Sequence, residues 1–156
     1  MKSGFVSVVG RTNAGKSTLV NAMIGEKIAI VSDKPQTTRY RIMGIKNEED
    51  IQIVFTDTPG IHAPKTRLGD FMINEANESL VDTDVALLVV EPVDNVGRSE
   101  EKLIEGFKKS DIPAILVINK IDKLKPGTVK DLEHHFKKLY NFKKIIPISA
   151  LNLENT

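Results

Sequence analysis

Residues 10–17, GRTNAGKS, place two glycines, a lysine and a serine within eight positions, directly after an apolar run. They fit the pattern G-x-x-x-x-G-K-[ST], in which backbone N–H groups of a glycine-containing loop surround phosphate oxygens. Lys16 would reach the outer phosphates, and the hydroxyl of Ser17 would bind Mg²⁺. The alternative is a glycine-rich turn with an exposed lysine. The position before a predicted helix favours a phosphate site, because a helix N-terminus attracts anions.

The sequence DTPG, residues 57–60, would complete such a site at the end of another apolar run. Asp57 would hold Mg²⁺ through water, and the N–H of Gly60 would meet the γ-phosphate. A simple β-turn is the alternative interpretation, because proline followed by glycine is common in turns. A second hydroxyl ligand for the metal would come from QTTR, residues 36–39, where we favour Thr38 over Thr37.

The sequence NKID, residues 119–122, indicates a base-binding site. The carboxylate of Asp122 can accept two hydrogen bonds from the N1–H and 2-amino groups of guanine, whereas adenine has an acceptor at N1 and no amine at C2. Hydrogen bonds to charged groups contribute about 1.5 to 3 kcal/mol each, so adenine would be rejected strongly. Asn119 would contact the base or tie neighbouring loops together, and the stem of Lys120 would cover the ring. Taken alone, NKID also fits a polar exit from a strand.

The sequence SAL, residues 149–151, would offer the N–H of Ala150 to guanine O6. Alone it is a weak signal. The four motifs nevertheless occur in order at successive predicted strand ends, which makes a set of unrelated turns improbable.

Short runs rich in β-branched residues alternate with segments of helical period, a pattern typical of a parallel sheet with helices on both faces. We therefore predict an α/β fold of the P-loop NTPase type, doubly wound, with a mostly parallel six-stranded sheet and one antiparallel edge strand. Ligands in such sheets bind at the carboxyl ends of the strands. The predicted strands are 5–9, 41–45, 51–57, 85–90, 114–119 and 144–149. The predicted helices are one containing Leu19, Val20, Met23 and Ile24, one containing Phe71, Ile73, Ala76 and Leu80, and those at 99–109 and 128–140.

The composition limits the classes of function. The chain has 156 residues, a net charge of +1 and no cysteine, which excludes disulfides, thiol catalysis and cysteine-ligated metals. We expect one domain, residues 1–156, soluble and cytoplasmic, because no apolar run approaches the roughly 20 residues of a membrane span. The sequence ends just after its last predicted strand, so we expect a GTP-binding domain that lacks its closing C-terminal helix.

Together, GRTNAGKS, QTTR, DTPG, NKID and SAL resemble the motifs of the Era family of translation-factor-related GTPases, over all 156 residues. Thr12 and Ala14 stand where that family's proline and valine would be expected. The resemblance implies a GTP-hydrolysing switch with Mg²⁺ whose switch loops are residues 32–41 and 58–70. It also implies action on the small ribosomal subunit and 16S rRNA, mainly through a KH domain that has no counterpart here. It leaves open peripheral membrane association, and we expect a monomer.

The position after DTPG carries Ile61, where many GTPases have a glutamine that orients water. The resemblance implies a hydrophobic-substituted GTPase, in which backbone groups position water and K⁺ supplies positive charge. Asn13 matches the family residue that helps to hold K⁺, although it is also a residue that tolerates an unusual backbone angle. Arg39 and Arg41 are weaker candidates for stabilising the transition state.

The predicted site residues can now be stated in full. The catalytic set is Lys16, Asn13, Thr38 and Gly60; the Mg²⁺ ligands are Ser17, Thr38 and Asp57, with Asn13 as a K⁺ ligand. The GTP-binding set is Gly10, Asn13, Ala14, Gly15, Lys16, Ser17, Thr18, Asp57, Gly60, Asn119, Lys120, Asp122, Ser149, Ala150 and Leu151.

Two other functions compete with the switch. The first is a GTP-sensing docking module with negligible hydrolysis, which the missing glutamine favours. The second is a P-loop phosphotransferase, for which NKID offers no support. Three further features fit ordinary surface better than a site: His62 in a loop, the adjacent His134 and His135 on a helix, and the basic stretch KKLYNFKK at 137–144.

Overall fold

The structure is a computed structural model that describes residues 2–11, 13–25, 41–57, 80–92, 96–125 and 127–156. Within these ranges six strands alternate with helices. The strands are β1 (Lys2–Val9), β2 (Arg41–Glu48), β3 (Ile51–Asp57), β4 (Val85–Val90), β5 (Ala114–Ile118) and β6 (Lys144–Pro147). The α-helices are α1 (Lys16–Ile24), α2 (Arg98–Ser110) and α3 (Thr128–Leu139), and Leu80–Asp82 and Ile121–Lys123 form short 3₁₀ helices.

The six strands form one sheet in the order β2-β3-β1-β4-β5-β6. Only the pairing of β2 with β3 is antiparallel, since the two strands are joined by a tight turn at residues 49–50. The other pairs are parallel, so the carboxyl ends of β1, β3, β4, β5 and β6 meet at one edge. The predicted fold class, with one reversed edge strand, is confirmed.

The central strands are buried on both faces, as their apolar sequences require. Because side chains alternate along a strand, Leu87 and Val89 of β4 face the helix α1, while Leu88 and Val90 face α2 and α3. Leu19 and Val20 provide the buried face of α1, with Met23 and Ile24 packed beside them. The predicted face of this helix is therefore confirmed.

The boundaries differ from the predictions at several ends. Strand β1 begins at Lys2 and β2 extends to Glu48, because the two strands continue their pairing with β3 beyond the apolar runs. Strand β6 ends at Pro147, and Ser149 instead forms an isolated bridge with Glu154. The helix predicted around Phe71, Ile73 and Ala76 lies outside the described residues, and Leu80 opens a 3₁₀ helix.

Among the helices that the structure describes, none has the length and apolar character needed to cross a membrane.

Candidate functional site

The predicted phosphate and base motifs converge on the carboxyl edge of the sheet. The loop 10–15 leaves β1, NKID leaves β5 and SAL follows β6. Sheet topology therefore brings together segments that are more than 100 residues apart in sequence.

Two glycines allow the loop after β1 to be compact. Gly10 has φ 148°, and a Cβ atom there would lie 2.2 Å from the carbonyl oxygen of Val89. Gly15 has φ 96°, and a Cβ atom there would lie 2.1 Å from the Nδ2 of Asn119. Both backbone conformation and space therefore require glycine at these two positions.

The loop leads directly into helix α1, whose first residues are the predicted phosphate and metal ligands. Ser17 and Thr18 are exposed in the first turn, where backbone N–H groups lack partners within the helix. Lys16 crosses the loop, and its Nζ donates to the carbonyl oxygens of Gly10 at 3.0 Å and Arg11 at 2.9 Å. A lysine held over a loop with a helix N-terminus behind it is well placed to meet an anion.

Asn13 is exposed and has φ 65°, a left-handed conformation that asparagine adopts more readily than most residues. The unusual backbone angle considered for Asn13 is therefore present. Ala14, next in the loop, is buried, and its N–H donates to the carbonyl oxygen of Arg11 at 3.2 Å.

Asn119 connects three loops. The side chain is 2% exposed, and its Nδ2 donates to the carbonyl oxygen of Ala14 at 2.9 Å. Its Oδ1 accepts from the N–H of Lys120 at 2.8 Å and from the N–H of Ala150 at 3.0 Å. Of the two predicted roles for this residue, the structure shows the one that ties loops together. Because the N–H of Ala150 is donated to Asn119, contact with guanine O6 would require that bond to be shared or exchanged.

Lys120 extends across the site from a left-handed backbone conformation, φ 64°. Its Nζ donates to the carbonyl oxygen of Asn13 and to Glu91 at the end of β4. The aliphatic stem therefore spans the distance between the base loop and the phosphate loop, the path along which it would cover a purine ring.

Asp122 is exposed, and its Oδ1 accepts a hydrogen bond of 2.7 Å from the hydroxyl of the buried Ser149. This bond orients the carboxylate and leaves Oδ2 available for a ligand. Ser149 thus has a positioning role, whereas the side chain of Leu151 is 77% exposed and makes no comparable contact among those that the structure records.

An ion pair between a half-exposed arginine and a buried glutamate beside the phosphate loop was missed by the sequence reasoning. The Nε of Arg11 lies 2.6 Å from Oε1 of Glu100 in the first turn of α2, and the Glu100 side chain is only 8% exposed. The second oxygen of Glu100 has no hydrogen-bond partner. Arg11 occupies a variable position of the loop motif, and an acidic residue at a helix start is ordinarily explained by the helix dipole, so neither residue carried a usable signal. Glu91 carried none.

Arg11, Asn13 and Ala14 line one side of a cavity of about 380 Å³, and Val89, Val90, Glu91 and Glu100 line the other. The cavity lies beside the phosphate loop and has polar groups of both charges on its walls. It belongs to the same edge of the sheet as the rest of the site.

Several predicted residues lie outside the described part of the chain. These are Thr37, Thr38, Arg39, Gly60, Ile61, His62 and the side chains of Asp57 and Arg41. The backbone of Asp57 ends β3 and is paired in register with Val8 of β1, two residues before Gly10.

The donor types present suit Mg²⁺, which prefers a few protein oxygens together with phosphate oxygens and water. Ser17 supplies an exposed hydroxyl, and Asp57 ends the neighbouring strand. In the described ranges no group of three or more histidine, cysteine, aspartate or glutamate side chains could hold a metal without a ligand's help. The residues fit a metal that arrives with a nucleotide.

Comparison with known proteins gives a consistent picture. The family described as 50S ribosome-binding GTPase matches residues 5–120. The GTPase Era of Clostridium perfringens is 48% identical over 155 residues, which is 99% of this chain and 52% of that protein. The chain thus spans about half the length of the curated relatives it matches. The predicted resemblance to Era is confirmed.

Two solved structures of Era superpose with a TM-score of 0.76 at 41% identity. One is Aquifex aeolicus Era bound to GDP and AlF4−. The match includes 99% of this chain and 54% of that one. The other is Era in complex with MgGDPNP and nucleotides 1506–1542 of 16S ribosomal RNA. The match includes 99% of this chain and 53% of that one.

Proposed function

The chain belongs to the family of 50S ribosome-binding GTPases, and from this premise we propose that it binds GTP and hydrolyses it as a molecular switch. The observation that carries the proposal is the joining of the base and phosphate loops by Asn119, which bonds to Ala14 and Ala150 at once. A base seated by Asp122 would therefore have its phosphates directed to Gly15, Lys16 and Ser17. In the same proposal, residues 1–156 form one GTP-binding domain, which acts as a monomer in the cytoplasm.

Guanine selection rests on Asp122. Its carboxylate is oriented by Ser149, and the free oxygen together with the bonded one would accept from the N1–H and 2-amino groups of guanine. Adenine would leave this charged group facing an acceptor, at a cost of several kcal/mol.

Hydrolysis requires a water oxygen to form a bond to the γ-phosphorus while the bond from that phosphorus to the β,γ-bridging oxygen breaks. The products are GDP and inorganic phosphate, and both protons of the water leave on the phosphate, which can then release one to the solvent. Lys16 would stabilise the charge that develops on the phosphate oxygens, since it is already held over the loop. We propose that Gly60 and Thr38 orient the γ-phosphate and the water.

We propose that Ser17, Thr38 and Asp57 would hold Mg²⁺, whose positive charge would offset the negative charge of the phosphates. We further propose that K⁺ assists, with Asn13 among its ligands. The exposure of Asn13, beside the cavity next to the phosphate loop, supports this assignment.

For the partner, we propose the small ribosomal subunit. The family description names the large subunit, but a relative 41% identical has been solved with a segment of 16S rRNA. By the same resemblance, we propose that the main RNA contacts of the whole protein lie in a KH domain. Sedimentation with isolated 30S and 50S subunits, in GTP and in GDP, would distinguish the two partners.

Calorimetric titration with GTP, GDP and ATP tests the nucleotide assignment. We expect binding of both guanine nucleotides in Mg²⁺ and none of ATP at equal concentration. Equal binding of ATP and GTP would overturn the role of Asp122. The role of Asn13 has its own readout: Asn13→Ala should weaken the stimulation of turnover by K⁺ over Na⁺, and unchanged stimulation would remove K⁺ from the proposal.

A GTP-sensing docking module is the second candidate, favoured by Ile61 in place of a water-orienting glutamine. It predicts tight, specific GTP binding with no cleavage in the absence of a partner.

A further inference from the structure

A cluster of lysines lies at the edge of the sheet opposite to the nucleotide site. Helices α2 and α3 both run back from the carboxyl edge and end at this opposite edge, where β5 and β6 begin. Each of these ends carries a pair of lysines. We name the set the lysine edge: Lys108, Lys109, Lys137, Lys138, Lys143 and Lys144, all of them exposed.

Aromatic packing holds these ends together. The rings of Phe107 and Tyr140 are 6.0 Å apart between centroids, and those of Tyr140 and Phe142 are 5.1 Å apart. Phe136 and Phe142 are 6.4 Å apart. Because Phe107 precedes the lysine pair of α2 and Phe136 precedes that of α3, the aromatic contacts fix the two pairs next to each other.

Backbone bonds place the third pair beside them. The N–H of Lys143 donates to the carbonyl oxygen of Ala114 at 2.8 Å, and Lys144 is paired in register with Ile115. The hydroxyl of Tyr140 donates to the carbonyl oxygen of Ile112 at 2.8 Å, which joins the end of α3 to the segment before β5. Burial and the nearby carboxylate of Asp111 raise the pKa of this phenol, so it stays neutral and bonded at physiological pH.

The lysine edge is positive after its neighbouring acids are counted. Asp111 ends α2, and Glu105 and Glu133 stand four residues before Lys109 and Lys137, where they can pair with them. Six lysines against three carboxylates leave a surplus of three positive charges at one edge, in a chain whose net charge is only +1. The rest of the chain is therefore slightly negative, and the positive charge is concentrated here.

The same edge of the sheet is acidic at its other end. The turn between β2 and β3 carries Glu48, Glu49 and Asp50, all exposed; Lys46 pairs with Glu48 at 2.9 Å and Lys2 begins the neighbouring strand, which leaves a surplus of one negative charge. A polyanion approaching this edge would be attracted to the β5–β6 end and repelled from the β2–β3 end, which defines one docking position.

From these observations we propose that the lysine edge binds the phosphate backbone of RNA without reading its sequence. The lysines are on the ends of neighbouring helices and the start of β6, at one edge of the sheet, so one phosphate backbone can contact several of them. Tyr140 and Phe142 are half-buried and packed against each other, so part of each ring is already covered. Phosphate contacts without base contacts give affinity and orientation but no sequence specificity.

An anionic membrane is the competing polyanion, and the structure favours RNA over it. Peripheral membrane binding is normally completed by apolar side chains that enter the lipid. The exposed large apolar residues among those described are Phe5, Ile42, Ile45, Ile51, Leu151 and Leu153, and none lies in α2, α3 or the segment 140–144. The choice of RNA also rests in part on the proposed ribosomal function.

The test compares two triple variants of this chain by RNA binding. Lys138→Gln, Lys143→Gln and Lys144→Gln remove half of the lysine edge, whereas Lys123→Gln, Lys125→Gln and Lys130→Gln remove equal charge from exposed positions elsewhere. The probes are a fluorescent 20-base-pair RNA hairpin, a second hairpin of shuffled sequence, and vesicles containing phosphatidylserine. Thermal unfolding of each variant confirms that it remains folded, since lysines at helix ends also stabilise helices.

We expect the lysine-edge variant to bind both hairpins at least about tenfold more weakly than the wild type at low salt, and the control variant to lose about threefold or less. The slope of log affinity against log salt should fall by about one for each lysine that contacts phosphate. Equal losses in the two variants, a strong preference between the two hairpins, or vesicle binding without RNA binding would each overturn the proposal.

GTP turnover separates this proposal from the preceding one. The lysine edge lies across the sheet from the nucleotide, so the triple variant should keep wild-type turnover while it loses RNA. If the chain binds RNA through the lysine edge but does not cleave GTP, the proposed switch is contradicted and the proposed RNA-binding surface is supported.

Discussion

The side-chain amide of Asn119 donates to the carbonyl oxygen of Ala14 at 2.9 Å, across 105 positions of sequence. Both residues are buried, at 2% and 1% exposed. This bond fixes the distance between the predicted base and phosphate sites, so the two halves of a nucleotide would be bound by one rigid unit. A substitution in either loop should therefore also change ligand binding at the other loop.

Asn119→Ala should weaken both the fold and nucleotide binding. The substitution leaves the carbonyl of Ala14 and the N–H of Ala150 without partners, and a buried unpaired group costs about 1 to 3 kcal/mol. We expect the free energy of unfolding to fall by about 2 to 4 kcal/mol and GTP affinity to fall at least about tenfold. Urea denaturation and titration measure the two effects.

Asn119→Asp is a second test of this bond, and Asn141→Ala is the control. Aspartate keeps the oxygen that accepts from Lys120 and Ala150 but opposes a carboxylate to the carbonyl of Ala14, so it should also weaken binding. Asn141 is exposed, and its loss should change little. A stable Asn119→Ala protein with wild-type GTP affinity would show that the bond does not organise the site.

Asp122→Asn should change base selectivity rather than abolish binding. The amide accepts from the guanine N1–H but presents N–H to the 2-amino group, so GTP affinity should fall by about two orders of magnitude. Xanthine carries a carbonyl at C2, which that N–H can meet, and XTP should bind the variant better than GTP does. Competition titration compares the nucleotides, with Asp131→Asn on the surface of α3 as control. Retained preference for GTP would mean that another group reads the base.

Gly10→Ala and Gly15→Ala should remove nucleotide binding. In each case the new Cβ would lie within 2.2 Å of another atom, in addition to the cost of a left-handed or extended positive φ. Gly25→Ala is the matched control, because Gly25 has φ 77° but no atom within 4 Å of the added Cβ. It should lose about 1 to 2 kcal/mol of stability and keep its GTP affinity. If all three variants bind GTP alike, the close approaches in the loop are unimportant.

Arg11 and Glu100 should be coupled energetically. Removing one partner of a buried pair costs up to about 3 kcal/mol because the remaining charge is unpaired, although the half-exposed Arg11 reduces that figure. A double-mutant cycle with Arg11→Met and Glu100→Gln should give a coupling of about 1 to 2 kcal/mol in unfolding free energy. The surface pair Lys46 and Glu48 provides the comparison, with an expected coupling below about 1 kcal/mol. Similar couplings for the two pairs would remove Arg11 as a support of the loop.

The fold and the position of the site were predictable because they depend on local signals. Short apolar runs that alternate with segments of helical period predicted the strands. The spacing of the glycines predicted the loop from Gly10 to Ser17. The position of NKID after β5 then placed Asn119 and Asp122 near that loop, because carboxyl ends of parallel strands share an edge.

The contacts between loops were not predictable from the sequence. The pairing of Lys120 with Glu91, and of Arg11 with Glu100, depends on side-chain reach across segments that share no pattern. The use of the Ala150 N–H by Asn119 was likewise not foreseen, since backbone donors carry no sequence signal. The adjacency of the lysine pairs in α2 and α3 required the packing of Phe107 against Tyr140.

Single-turnover hydrolysis of GTP by this 156-residue chain tests the central claim most directly. ATP serves as the nucleotide control, and K⁺ is compared with Na⁺ at equal ionic strength, with Mg²⁺ in all samples. The account predicts slow cleavage of GTP alone, faster in K⁺ than in Na⁺. Tight GTP binding without cleavage in either salt would contradict the hydrolysing switch and favour the GTP-sensing module.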